Sequence, residues 1–198
     1  MSKVLKRDIE FLFEVGTLGN LKRNWQQFLG MGGASVLEHT MRVVFIALII
    51  ARAEKCDAEE KIIKMALAHD LSETRTNDTN YVQAVYTTKD EARATRDLFF
   101  GTSLRDFDRT IVREYEARKT LAAKIVKDAD NLDVDFELKE FAHRGSAFPR
   151  KGQRLRRIVR GRLYTKTAKR LWDELQKADP ASWHLKANKW VKMKNSGK

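Results

Sequence analysis

The stretch Ala66-Leu67-Ala68-His69-Asp70-Leu71-Ser72-Glu73 sets an imidazole beside a carboxylate at the end of an apolar run. It adds a second carboxylate, Glu73, three residues after Asp70. Residues three or four apart on a helix share a face, so Asp70 and Glu73 can point into one cavity. A His-Asp doublet alone is weak evidence of a site, but this one has companions. Ser35-Val36-Leu37-Glu38-His39-Thr40 opens another apolar run and supplies a second histidine, and Ala123-Lys124-Ile125-Val126-Lys127-Asp128-Ala129-Asp130 closes a third run with an aspartate. His39, His69, Asp70 and Asp130 together make a mixed nitrogen and oxygen donor set. It suits one divalent transition ion (Mn, Co, Fe, Zn or Ni) rather than calcium. Asp130 adds a physical argument of its own. It interrupts the apolar stripe Leu121, Ile125, Val126, Ala129, Leu132 and Phe136, and a carboxylate there is costly unless it is paired or bound to metal.

The order His, His-Asp, Asp resembles the signature of the HD-domain phosphohydrolases. More narrowly, the chain resembles their branch of small nucleotidases, which includes the 5′-deoxynucleotidases. The closer likeness rests on His69-Asp70-Leu71-Ser72-Glu73 followed by Asn77-Asp78, on Trp25 upstream of His39, and on Val126-Lys127-Asp128-Ala129-Asp130. It covers roughly residues 10–145. The resemblance implies an all-α HD-domain helical bundle with a metal site at its centre. It also implies a metal-dependent phosphomonoesterase that removes the 5′-phosphate from (deoxy)nucleoside monophosphates. Glu73 would then orient or deprotonate the attacking water, and Asp78 would lie near the leaving oxygen or the sugar as general acid. Trp25 would pack on the sugar or base, and a basic residue just before it, Arg23 or Lys22, would hold the phosphate. Ala34 and Asn77 depart from the family pattern, which tends to carry an acid and a glycine at those places. The resemblance further implies a homodimer.

These residues need helices to carry them. Residues 3–15 read as an amphipathic helix, with Val4, Leu5, Ile9, Leu12 and Phe13 at helical spacing, broken by Gly16 and Gly19. Gly30-Met31-Gly32-Gly33 reads as a flexible loop. Ser35 with Glu38 three residues on has capping-box spacing and predicts a helix from Ser35 to about Glu54. Its row Val36, His39, Val43, Ile46, Ala47 and Ile50 faces the core, with His39 at the rim, reachable from solvent. Asp57 and Glu60 predict a second box, whose helix delivers His69-Asp70 at its end. Residues 72–88 read as an irregular site loop, and a helix over 89–99 follows. One or two helices then run to about His143. Residues 145–152 read as a basic loop, and one helix runs from about Gln153 to Ala178, stopped by Asp179-Pro180. Residues 192–198 are expected to be disordered.

The chain has 198 residues, 42% of them hydrophobic, enough for one domain with a sizeable core. The expected division is an HD domain over 1–150 and a C-terminal helix with basic tail over 151–198, packed on or trailing from it. A single cysteine, Cys56, excludes an internal disulfide. The longest apolar run, Val43 to Ile50, is too short for a bilayer, and charged residues interrupt any secretory pattern near the start. The expectation is a cytoplasmic protein with no membrane partner. The net charge of +12 attracts phosphorylated small molecules and nucleic acids alike. Much of the excess follows residue 144. Two rival readings therefore stand beside the phosphomonoesterase. One is a hydrolase of another phosphoester, a cyclic or longer nucleotide. The other is a nucleic-acid-binding module that uses the basic tail with Trp183 and Trp190 and keeps a structural metal.

Overall fold

The computed structural model describes residues 2–30, 32–187 and 190. Its described residues are helical, with one isolated bridge, Lys22 to Ser35, and no strand. The helices are α1 (Lys3–Gly16), α2 (Gln26–Leu29), α3 (Val36–Ala53), α4 (Glu59–Ala68), α5 (Glu73–Thr76), α6 (Glu91–Phe99), α7 (Arg113–Ala117), α8 (Leu121–His143), α9 (Phe148–Arg162), α10 (Lys166–Lys177) and α11 (Ser182–Lys186). A π-helical stretch, Asp108–Val112, runs into α7. The fold is an all-α bundle, as the resemblance implies and as the helical spacing of apolar residues requires of its elements. The expectation of disorder over 192–198 lies outside the described residues.

The long helices α3 and α8 pack against each other, and α4 and α10 close around them. Val36, Val43, Ala47 and Ile50 of α3 meet Ile125, Val126, Ala129 and Leu132 of α8, all fully buried. Ala168 and Trp172 of α10 belong to the same core. A smaller cluster of Trp25, Leu29, Leu138 and Phe141 sits beside it, under the cleft described below.

Local chemistry explains most boundaries. The box at Ser35 forms as expected: Glu38 N–H donates to Ser35 Oγ at 3.2 Å, and Ser35 N–H donates to Glu38 Oε2 at 2.6 Å. The second box does not form. Asp57 lies in a bend one residue ahead of the cap, Ala58 occupies the cap position with no side-chain bond, and Glu60 turns to Lys64 instead. Residues 72–88 are less irregular than expected, since they hold α5 and a short 3₁₀ turn, Gln83–Val85.

Two differences lie in the C-terminal part. Phe148–Arg162 is helix from within the expected loop, because Pro149 sits in its first turn, where no N–H is needed. The single helix expected over 153–178 is broken at Leu163–Thr165. The break has a cause far away in sequence. The buried Asp128 carboxylate on α8 accepts the N–H of Tyr164, the N–H of Thr165 and the Thr165 hydroxyl, each at 2.8 Å. Thr165 in turn caps α10 by accepting from Ala168 N–H. Replacing Asp128 with alanine leaves these donors without an acceptor. We expect a loss on the order of 3 kcal/mol, measured by denaturant unfolding, against about 1 kcal/mol for the cap change Thr165→Ala.

Helix α1 is held by polar contacts. Arg7 donates to the Leu98 and Phe100 carbonyls, and Asp8 accepts from Ser103. Its apolar stripe of Leu5, Ile9, Leu12 and Phe13 faces outward. No helix among the described residues is long and apolar enough to cross a membrane.

Candidate metal centre

The fold carries the four donors on three helices. His39 is in the first turn of α3, His69 and Asp70 follow the last residue of α4, and Asp130 is in the middle of α8. His69 keeps helical backbone angles, and its Nδ1 lies 2.7 Å from the Ala66 carbonyl oxygen. A carbonyl can only accept, so Nδ1 carries the proton and Nε2 presents a lone pair. His39 repeats the pattern through a different partner. Its Nδ1 lies 2.6 Å from Asp133 Oδ2, and its Nε2 faces the other imidazole.

The two Nε2 atoms are 3.4 Å apart. Asp70 Oδ2 lies 3.1 Å from His69 Nε2 and 3.4 Å from His39 Nε2, and Asp130 Oδ1 lies 3.4 Å from His39 Nε2. His39, His69 and Asp70 form the tight group, and Asp130 adjoins it through His39. Both ring protons are already engaged, so lone pairs converge on one point. Such a set repels itself unless a cation fills the centre. The spacing also fits: donors bound at about 2.1 Å to one ion stand roughly 3.0–3.4 Å from each other. The residues present therefore fit a divalent transition ion.

The surroundings are tuned the same way. Burial pushes the Asp70 carboxyl up, but the adjacent His69 and His39 outweigh it and hold the group well below its ordinary value. Asp130 is likewise held low against its burial, by Lys127 and His39. Burial and Arg23 oppose a charge on His39, yet the bonds to Asp130, Asp133 and Asp70 raise its pKa well above normal.

His39 is not at the solvent rim. Its side chain is fully buried, with Nδ1 turned to the equally buried Asp133 of α8. A cleft of about 630 Å³ lies beside Asp130, its polar end lined by Arg23, Asp78 and Lys127, while His69 borders a separate cavity. The Arg23 guanidinium lies 3.7 Å from Asp70 Oδ2, and its Nε is buried without a partner. Lys22 is exposed and outside this cleft, so of the two basic candidates only Arg23 reaches the centre. Trp25 lines the cleft, with its indole N–H donating to Glu137 Oε2 at 3.1 Å. Asp78 is fixed at the cleft by the Asn24 N–H, 2.5 Å from its Oδ2.

Glu73 opens α5, and one of its oxygens is buried without a partner. Burial, then the charges of Asp70 and Asp78, push its pKa up to about 9. The two acids thus sit in different environments, which is how paired carboxylates take different roles.

The sequence reading passed over a ring of supporting residues. Asp133 holds His39 and is itself held by Arg42 Nε at 2.5 Å. Arg42 reaches on to Glu140. Lys127 Nζ lies 2.7 Å from Asp130 Oδ2, and the Tyr115 hydroxyl lies 3.4 Å from the same oxygen. A signal for two of them was present. Asp133 follows Asp130 by three residues, and Arg42 follows His39 by three, so each shares a helix face with a donor.

Residues 15–177 match the model of the HD-domain family, and the chain belongs to that family. Among solved structures it is similar to a conserved hypothetical protein from Pyrococcus furiosus, with 25% identity and a TM-score of 0.71 over 86% of this chain and 99% of that one. It is also similar to a protein from Pyrococcus horikoshii, with 26% identity and a TM-score of 0.69 over 85% and 96%. A third, from Magnetospirillum magnetotacticum and described as a predicted metal-dependent phosphohydrolase, shares the fold at 21% identity, with a TM-score of 0.69 over 89% and 95%. No curated protein matches the chain.

Proposed function

We propose that this protein is a metal-dependent phosphohydrolase that removes the 5′-phosphate from (deoxy)nucleoside monophosphates. The observation that carries the reading is the meeting of the four donors beside the buried guanidinium of Arg23, whose Nε has no protein partner. His39, His69, Asp70 and Asp130 hold one divalent transition ion. When bound, such an ion polarises phosphoryl oxygens and makes water a better nucleophile at neutral pH. The description of the Magnetospirillum relative agrees with this class.

The chain's own residues do the rest. Arg23 takes the phosphate oxygens, where its fixed charge offsets charge developing in the transition state. Glu73, in its ionised form, accepts the proton of the attacking water, and its raised pKa makes that form the stronger base. Asp78, anchored by Asn24, supplies the proton to the departing 5′-oxygen. Trp25 supports the sugar.

Purified protein loaded with Mn²⁺ or Co²⁺ tests this against dAMP, dCMP, dTMP and AMP, with released phosphate as the readout. Release that depends on the metal supports the reading. No release from any of them rejects it, and turnover of cyclic or longer nucleotides alone would move the assignment to another phosphoester.

A homodimer belongs to the same proposal. Leu37, Met41, Phe45 and Ile49 recur every four residues along α3 and stay exposed. Leu37 shares an apolar groove with Leu12 of α1 and Leu67 of α4, which joins this stripe to the outward face of α1. Monomeric proteins rarely expose a contiguous apolar patch beyond a few hundred Å², and a second copy is the occupant we assign. Light scattering on the eluting protein should give twice the chain mass, reduced to one chain mass by Phe45→Glu. A wild-type monomer at micromolar concentration would reject the dimer.

A further inference from the structure

The cleft changes character along its length. Asp130, Asn131, Val134 and Leu138 line it from one face of α8. Over that stretch the helix rises about 12 Å. The end at Asp130 is polar and shared with Arg23 and Lys127, whereas Val134 and Leu138 give the far end apolar walls, with Lys151 and Arg156 of α9 also lining the cleft. The facing wall is α9, which lies beyond the residues that carry the sequence resemblance. Phe148, Gly152 and Leu155 recur there at three- and four-residue steps, so one face of α9 looks into the cleft. Tyr81 completes that end. Phe28 stacks on Phe148 at 6.3 Å and 8°, and on Tyr81 at 5.3 Å and 28°. It thereby holds both rings at the cleft edge.

From this arrangement we infer that the far end of the cleft is a nucleobase subsite, with Leu155 and Phe148 of α9 as specificity-determining residues. The inference rests on the nucleotide reading above. An apolar slot edged by fixed aromatic rings favours a planar heterocycle through stacking and dispersion. The stretch of α8 between Arg23's end and the slot leaves room for a sugar. The cleft volume lies in the range that encloses a small organic ligand. Leu155 is half exposed on the cleft wall, so its substitution does not open the core.

The test uses metal-loaded protein and the ratio of kcat/KM for dAMP to that for base-free deoxyribose 5-phosphate. Leu155→Asp, which puts a charge against the base, should lower this ratio about tenfold or more, mainly through KM for dAMP. Leu155→Met should restore it. A ratio that does not move overturns the subsite. The nucleotidase reading can fail separately. If wild type releases phosphate from neither compound, calorimetry with deoxyadenosine decides: binding that Leu155→Asp abolishes upholds the subsite alone, and no binding to wild type overturns it.

Discussion

Replacing Asp70 with alanine is expected to abolish bound metal and to lower phosphate release on the order of 10³-fold or more, because a Lewis acid at the site supplies several kcal/mol of barrier lowering. Asp70 contacts both imidazoles and lies beside Arg23. Its loss removes a donor and leaves a buried guanidinium with one anion fewer. Asp133→Asn makes the contrast. Asp133 touches His39 only through Nδ1, so it orients a donor without being one. Such outer groups typically change metal affinity or activity by about 10–100-fold. Elemental analysis of the purified variants, read beside their turnover and their circular dichroism, separates the cases. A metal-free Asp70→Ala with full turnover would remove the metal from the mechanism. A fully loaded one would remove Asp70 from the donor set.

Glu73→Gln should retain metal and fold while losing about 10²–10⁴-fold in kcat, the usual contribution of a positioned general base. The amide keeps the size of the side chain but cannot accept the proton. The pH dependence follows from the sign of the shift. Glu73 works when ionised, and its pKa is raised by burial and by Asp70 and Asp78. Turnover therefore rises with pH and is lost as pH falls through that pKa. A bound cation beside Asp70 counters part of the repulsion, so the acid limb of kcat/KM falls between the ordinary carboxylate value and about 9. The amide variant lacks that limb. A Glu73→Gln profile with the limb intact would assign it to another group.

Helical periodicity was enough to predict the central helices, and the family resemblance implied their bundle. The row from Val36 to Ile50 and the run from Leu121 to Leu132 are local patterns, and they became the central pair of helices. The capping box at Ser35 is equally local. The C-terminal helices were harder. The break between α9 and α10 depends on Asp128, far upstream, capturing two N–H groups, and no window of neighbouring residues contains that bond. Asp57 shows the reverse case: its spacing satisfies a box, but the backbone starts the helix later and Glu60 goes to Lys64.

The candidate site divides along the same line. Residue types and order alone singled out two histidines and two aspartates, because few other side chains hold a transition ion and a carboxylate in an apolar stripe needs a partner. Which nitrogen each imidazole presents, and whether solvent reaches it, came only from packing. Ala66 and Asp133 engage Nδ1 on the two rings, and His39 lies fully buried. The choice of Arg23 over Lys22 was likewise tertiary, since adjacent residues on an extended segment point to opposite sides and only one side faces the cleft. Helix α9 makes the strongest case. Its sequence reads as a basic loop running into the start of a longer helix, and only its placement against α8 gives Phe148 and Leu155 a cleft to line. Spacing along a chain encodes the face a residue shares with its neighbours; what that face meets depends on contacts between segments distant in sequence.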